Sequence, residues 1–185
     1  MTVIYIRFEG AALCSSAICH GEEQIMRHES EMLASYGQIA VFRPDQPLFN
    51  LWTDEHVAQG FAWRPDCAAF GVPDHDGMCL VCIETIDEMK AVADDAIAAI
   101  RLPYEVRENK VGIGSISDEV FMSIPSGIYD INFELLPSFT LNGETYGFLI
   151  KLSFCLCQRE EFKIIRKGGD MTSDHVLRQD ADIAY

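Results

Sequence analysis

Gly127-Ile128-Tyr129-Asp130-Ile131-Asn132-Phe133-Glu134-Leu135-Leu136 is the stretch on which the fold turns. Tyr129, Ile131, Phe133 and Leu135 alternate with Ile128, Asp130, Asn132 and Glu134. Successive side chains of a strand point to opposite faces, so a period of two describes a strand with one apolar face. Pro125-Ser126-Gly127 before it is a turn signal, and Leu141-Asn142-Gly143-Glu144 is another beyond it.

The same reading extends outward in both directions. Residues 35–42 (S-Y-G-Q-I-A-V-F), 61–72, 101–107, 111–116, 119–124, 148–157 and 162–166 are strand candidates. Residues 78–86 (M-C-L-V-C-I-E-T-I) form a near-continuous apolar run, which suits a strand buried on both faces. Strands at this spacing, separated by turn signals, predict a mainly β protein built as an antiparallel β-sandwich. One or two short helices are expected beside it. Thr53 or Asp54 caps the first, over residues 53–60, with acids in its first turn and Gly60 as terminator. The second lies in residues 86–100, where Ile86, Met89, Ala93, Ile97 and Ile100 fall at helical spacing, although an acidic connector fits equally. Residues 22–32 have helix-forming composition. The domain expected is residues 33–168, with 1–32 as an extension and 169–185 as a polar tail.

Charge narrows the function. The 185 residues carry 29 acidic against 14 basic side chains, a formal net charge of −15, and 49% are apolar. Phosphate binding rests on lysine and arginine, so direct contact with nucleic acid is not expected; nor is attachment to an anionic membrane surface. No window approaches the ~18 apolar residues of a membrane span, and no secretory leader is evident. Seven cysteines, an odd number, are expected to be reduced and buried, which predicts a cytoplasmic protein.

Motifs for chemistry are weak. Cys79-x-x-Cys82 has zinc-like spacing, but residues three apart in a strand face opposite ways. Cys155 and Cys157 share a face within an apolar run. Gly112-Ile113-Gly114-Ser115 lacks the Gly-x-Ser-x-Gly elbow of a nucleophilic serine. No cofactor, no metal and no catalysis are therefore expected. A rival reading makes the chain a small module binding a divalent metal or another ligand, with Asp74, His75 and Asp76 as ligands in a loop. What remains is the acidic surface. Between residues 33 and 160 acids outnumber bases more than twofold, and they gather near strand ends and turns: Asp54, Glu55, Asp74, Asp76, Glu105, Glu108, Asp118 and Glu119. A patch of carboxylates imitates a phosphate backbone to a basic cleft and speeds encounter with it.

Several of these residues also carry a family resemblance. The elements are S-Y-G-Q-I-A-V-F at 35–42, W-T-D-E at 52–55, A-Q-G-F-A at 58–62, P-Y-E-V-x-E-N at 103–109 and I-P-x-G-x-Y at 124–129. Their order and spacing over residues 33–155 resemble the competence protein J family, also termed DNA-entry nuclease inhibitors. The resemblance implies an inhibitor of a cognate nuclease, serving DNA uptake or acting as an immunity protein, and an acidic protein would block the basic cleft as a DNA mimic. Within the matching elements Asp54 and Glu55 are the residues carried over as candidate contacts, while Trp52 and Tyr36 are expected in the core. Residues 1–32 have no counterpart in the pattern, and the stretch 86–100 is longer and richer in alanine.

Overall fold

The structure is a computed structural model that describes residues 26–156, 161–173 and 177–184. In chain order its strands are β1 (Arg27–Met32), β2 (Gln38–Phe42), β3 (Phe61–Arg64), β4 (Cys67–Gly71), β5 (Cys79–Ile86), β6 (Ala98–Val106) and β7 (Val111–Gly114). They continue with β8 (Glu119–Met122), β9 (Gly127–Leu136), β10 (Phe139–Leu141), β11 (Glu144–Tyr146), β12 (Leu149–Leu156) and β13 (Lys163–Arg166). A helix α1 (Asp54–Gln59) and a 3₁₀ turn (Ser35–Gly37) complete the described elements.

Two sheets face each other. One has the order β1-β5-β12-β9-β6-β13 and the other β3-β4-β2-β7-β8, with β10-β11 as a separate hairpin. The alternation that decided the fold works as expected on its inner side. Tyr129, Ile131, Phe133 and Leu135 are buried between the sheets with Ile100, Leu102, Leu152 and Phe154 of their own sheet and Val41, Phe70 and Ile113 of the other. Phe133 stacks on Phe70 across the interface, with ring centroids 4.6 Å apart and planes 3° from parallel. Among the described residues one pairing departs from the antiparallel pattern. β5 runs parallel to β12, from Leu80 opposite Leu149 to Ile86 opposite Cys155. A parallel pair needs a long crossover, and everything from β6 to β11 lies between these two strands in sequence.

Several boundaries differ from those expected. Residues 61–72 are a hairpin rather than one strand, folded at Pro65-Asp66 so that Ala62 faces Ala69. No second helix forms in 86–100. Ile97 N–H donates to Leu135 O at 2.7 Å and the chain enters β6, because Ala98, Ile100 and Leu102 satisfy a period of two against β9. Residues 27–32 form a strand, not a helix, pairing with β5 from Arg27 opposite Glu84 to Met32 opposite Cys79. The sandwich thus begins before residue 33. At the other end, residues after 168 return to α1: Thr172 and Ser173 N–H donate to Ala58 O, and Leu51 N–H donates to Asp182 O.

The helix forms where its caps are. Thr53 has extended backbone, and the ring of His56 closes the capping box by accepting the Thr53 N–H on Nδ1 at 3.1 Å. Nε2 of His56 bonds Asp180 O at 2.8 Å, so this fully buried ring ties the helix to the returning chain. Gly60 ends the helix at φ 79°, in the left-handed region that glycine occupies without penalty.

Candidate functional site: an apolar groove at an acidic end

Register places the strand ends. Gly71 of β4 lies opposite Gln38, Gly114 of β7 opposite Ala40, and Ala98 of β6 opposite Leu135. One end of the sandwich therefore collects the 3₁₀ turn, the β4–β5 and β7–β8 loops and the β10-β11 hairpin. A groove of about 400 Å³ opens here, lined by Tyr36, Trp52, Val57, Val72, Pro73 and Met171, among others.

The sequence elements at 35–42, 52–55 and 58–62 meet at this groove. Trp52 Nε1 donates to Gln38 Oε1 at 2.8 Å, fixing the two elements to each other. Gly71 lies beside the indole, and even a Cβ there would meet Trp52 Cη2 only in ordinary contact at 3.7 Å. Contrary to expectation, neither ring sits in the core: Trp52 is half-buried and lines the groove, and Tyr36 is further out. It is 83% exposed, with φ 56° and ψ 31°. The local cause is the tight turn Ser35–Gly37, in which Tyr36 and Gly37 both take positive φ before Val72 N–H reaches Gly37 O at 2.8 Å. A bulky residue held in this region costs about 1–2 kcal/mol and points to function when surrounding structure enforces it. Val57, half-exposed on α1, continues the apolar surface.

The candidate carboxylates divide between two ends. Asp74 and Asp76 are exposed in the β4–β5 loop at the groove end, and Asp118 and Glu119 lie in the β7–β8 turn of the same end. Asp54 and Glu55 stand on the first turn of α1, next in sequence to Trp52 and Val57. Glu55 accepts the Thr53 hydroxyl at 2.7 Å, which holds its carboxyl below the usual range, with Arg178 at 3.6 Å adding to the effect. Asp118 is partly committed, since its Oδ2 accepts the Leu33 N–H at 2.9 Å. Glu105 and Glu108 are at the opposite end, near the β6–β7 turn, where Arg107 pairs with Glu105 and lowers its carboxyl. These two do not join the others. Residues that the sequence did not single out do: Glu31 and Glu144 share the Tyr146 hydroxyl, and exposed Asp170 lines the groove.

The loop proposed as a metal site is built differently. His75 turns inward, with Nδ1 on Pro73 O at 2.9 Å and Nε2 on Cys79 Sγ at 3.0 Å. Both ring nitrogens are engaged, so His75 does not converge with Asp74 and Asp76. Among the described residues no group of three His, Cys, Asp or Glu side chains is placed to hold a metal ion. The Cys79–His75 pair has the reach of a nucleophile and base, yet Cys79 is fully buried and burial pushes its thiol up to about 11. Cys67 is pushed to about 12 for the same reason. The thiolate is the reactive form, so iodoacetamide at pH 8 is expected to leave Cys67 and Cys79 unmodified in the folded protein and to modify both in urea, as read by peptide mass spectrometry. A folded-state value above the unfolded one means that stability is retained below about pH 9 and declines as pH rises toward 11. Cys67, Cys79, Cys82 and Cys155 are free and buried, as expected; Cys14, Cys19 and Cys157 lie outside the described residues.

Comparison with known proteins gives two findings. The family model for Competence protein J (ComJ) matches residues 31–155. A crystal structure described as ComJ, inhibitor of the DNA degrading activity of NucA, from Bacillus subtilis, superposes with a TM-score of 0.62 at 20% sequence identity, covering 72% of this chain and 99% of that one. No curated protein matches the sequence.

Proposed function

The chain belongs to the competence protein J family, and from that premise we propose that it binds a cognate nuclease and inhibits it. The inhibition of DNA degradation by NucA described for the similar Bacillus subtilis protein supports this reading. The observation that carries it is the groove: a strained, exposed Tyr36 at the mouth of an apolar cleft, on an end of the sandwich that bears Asp74, Asp76, Glu119 and Asp170. Interfaces are held by a few buried aromatic or aliphatic anchors, while rim charges steer the approach. In this reading the carboxylates draw in a basic nucleic-acid cleft and an apolar side chain of the nuclease enters the groove. DNA and inhibitor then compete for one cleft, and the chain acts by binding rather than by catalysis. The same contact would serve an immunity role against a secreted nuclease. The four free, buried cysteines support a reducing, cytoplasmic setting.

Calorimetric titration against a candidate cognate nuclease from the same source, with DNA degradation followed in parallel, tests the proposal. Heat of binding with loss of DNA cleavage is expected; neither would end that pairing. The two ends should also separate by kinetics. Reversing Asp74 and Asp76 to lysine is expected to slow association about tenfold at low salt. Reversing Glu105 and Glu108, at the far end, is expected to change it by no more than about twofold, because their field is directed away from the groove and partly offset by Arg107.

A further inference from the structure

The groove is not built from the family-matched residues alone. The family model ends at residue 155, and one wall comes from beyond it, from residues 168–171. Where it is described, the chain after residue 168 is a strap bound across α1. Its backbone is held on both sides of Met171. Before Met171, Gly168 passes so close to the residue leading into β6 that a Cβ would stand 2.2 Å from Ile97 O, a gap that only glycine fits. After it, Thr172 and Ser173 N–H donate to Ala58 O.

Further along, the strap answers buried side chains of the helix. Arg178 N–H donates to Gln59 Oε1 at 2.8 Å, and Gln59 Nε2 returns a bond to Arg178 O at 2.9 Å. Asp180 O accepts from His56 Nε2. Gln59 is 1% exposed and His56 fully buried, so these are partners that the helix needs. Leu177 packs against the main core as well. The strap is therefore part of the folded unit, and the position of Met171 is fixed by its neighbours on either side.

The side chain of Met171 is less constrained than its backbone. It is half-buried and rests on Gly60, where a Cβ would stand 2.9 Å from Sδ and Cε. The glycine that ends α1 thus also makes room for the thioether. Methionine is unbranched, turns about three side-chain bonds and is polarizable, so it fills gaps of different shape. A fixed backbone carrying an adaptable side chain lets one position reset a pocket without disturbing the fold.

We propose that residue 171 is the specificity-determining position of the groove, where Met171 reads the size of the apolar side chain that the nuclease inserts. The inference rests on the reading of the groove as the nuclease contact. The other walls include Tyr36, Trp52, Val57 and Val72, all within the family-matched residues. Selection set from the strap leaves that shared domain intact while changing which partner fits. The competing explanation is that Met171 only staples the strap to α1.

Inhibition constants of the full chain and of Met171→Ala, Met171→Phe and Met171→Leu, measured across a panel of DNA-degrading nucleases of differing sequence, decide between them. A staple changes every constant by one common factor, that of the folded fraction, and leaves their ratios fixed. A selecting residue reorders them: Met171→Ala and Met171→Phe are expected to shift ratios within the panel by about tenfold, the effect of a methylene or two in an apolar pocket. Met171→Leu, close in volume, should keep them within about threefold and serves as the rescue. Tyr36→Gly is the control for the groove itself. Should Tyr36→Gly weaken inhibition while Met171→Ala and Met171→Phe leave all ratios within threefold, the role of the strap is overturned and the groove reading stands. Should Tyr36→Gly leave inhibition unaltered, or the wild-type protein inhibit no nuclease, the groove reading fails and this inference falls with it.

Discussion

Tyr36→Gly is expected to leave the protein as stable as before, or slightly more so, while weakening inhibition of the cognate nuclease by about 30-fold or more. The two effects separate because the residue is strained and exposed at once. Its φ of 56° costs about 1–2 kcal/mol in a residue with a side chain, and glycine removes that cost. The gain is offset by the greater freedom of glycine in the unfolded chain, about 0.5–1 kcal/mol. At 83% exposure the ring has little burial to lose within the free protein. In the complex an aromatic anchor at the centre of an interface is worth about 2 kcal/mol or more, which is the 30-fold. Urea denaturation and inhibition assays on the same preparation measure both quantities. Unchanged inhibition would remove Tyr36, and with it the groove, from the interface.

Phe133→Ala is expected to cost about 3–5 kcal/mol of stability, the range for deleting a large aromatic from a packed core. For a chain of this size that lowers the melting temperature by about 6–20 °C. Phe133 is fully buried and lies flat on Phe70 of the opposite sheet, so truncation opens a cavity at the contact joining the two sheets. Neither ring lines the groove, and the surviving folded fraction should inhibit normally. A loss below about 1.5 kcal/mol would mean that the sheets do not meet at this pair.

The inner half of the β9 alternation was legible because burial between sheets acts on one residue at a time, and a period of two records it. The outer half was not. Asn132 and Glu134 read as solvent-facing positions, yet both are buried, since the β5–β6 crossing segment folds over them and Ala93 bonds Glu134. Nothing local to residues 127–136 encodes that roof. The carboxylates show the same division. Their gathering near turns was visible in the chain, whereas their assignment to ends depends on which strands pair, and strand order moved Glu105 and Glu108 away from Asp74 and Asp76. The rotamer of His75 could not be read either. Its neighbours Asp74 and Asp76 suggested a ligand set, but the ring turned to Cys79, which comes alongside only when β5 forms.

By itself, then, the chain determined most of its strands (β1, β10, β11 and the split of 61–72 excepted), the helix over 53–60, the buried thiols, the large negative charge and the motif order that matches the family. Each rests on covalent geometry, side-chain polarity or neighbours within a few residues. Tertiary structure alone decided the parallel β5–β12 pair, the exposure of Tyr36, the meeting of three distant elements at one groove and the roof over Asn132 and Glu134. These arise between segments tens of residues apart, where two sheets must satisfy every buried polar group and fill one core together, and no local pattern encodes the outcome.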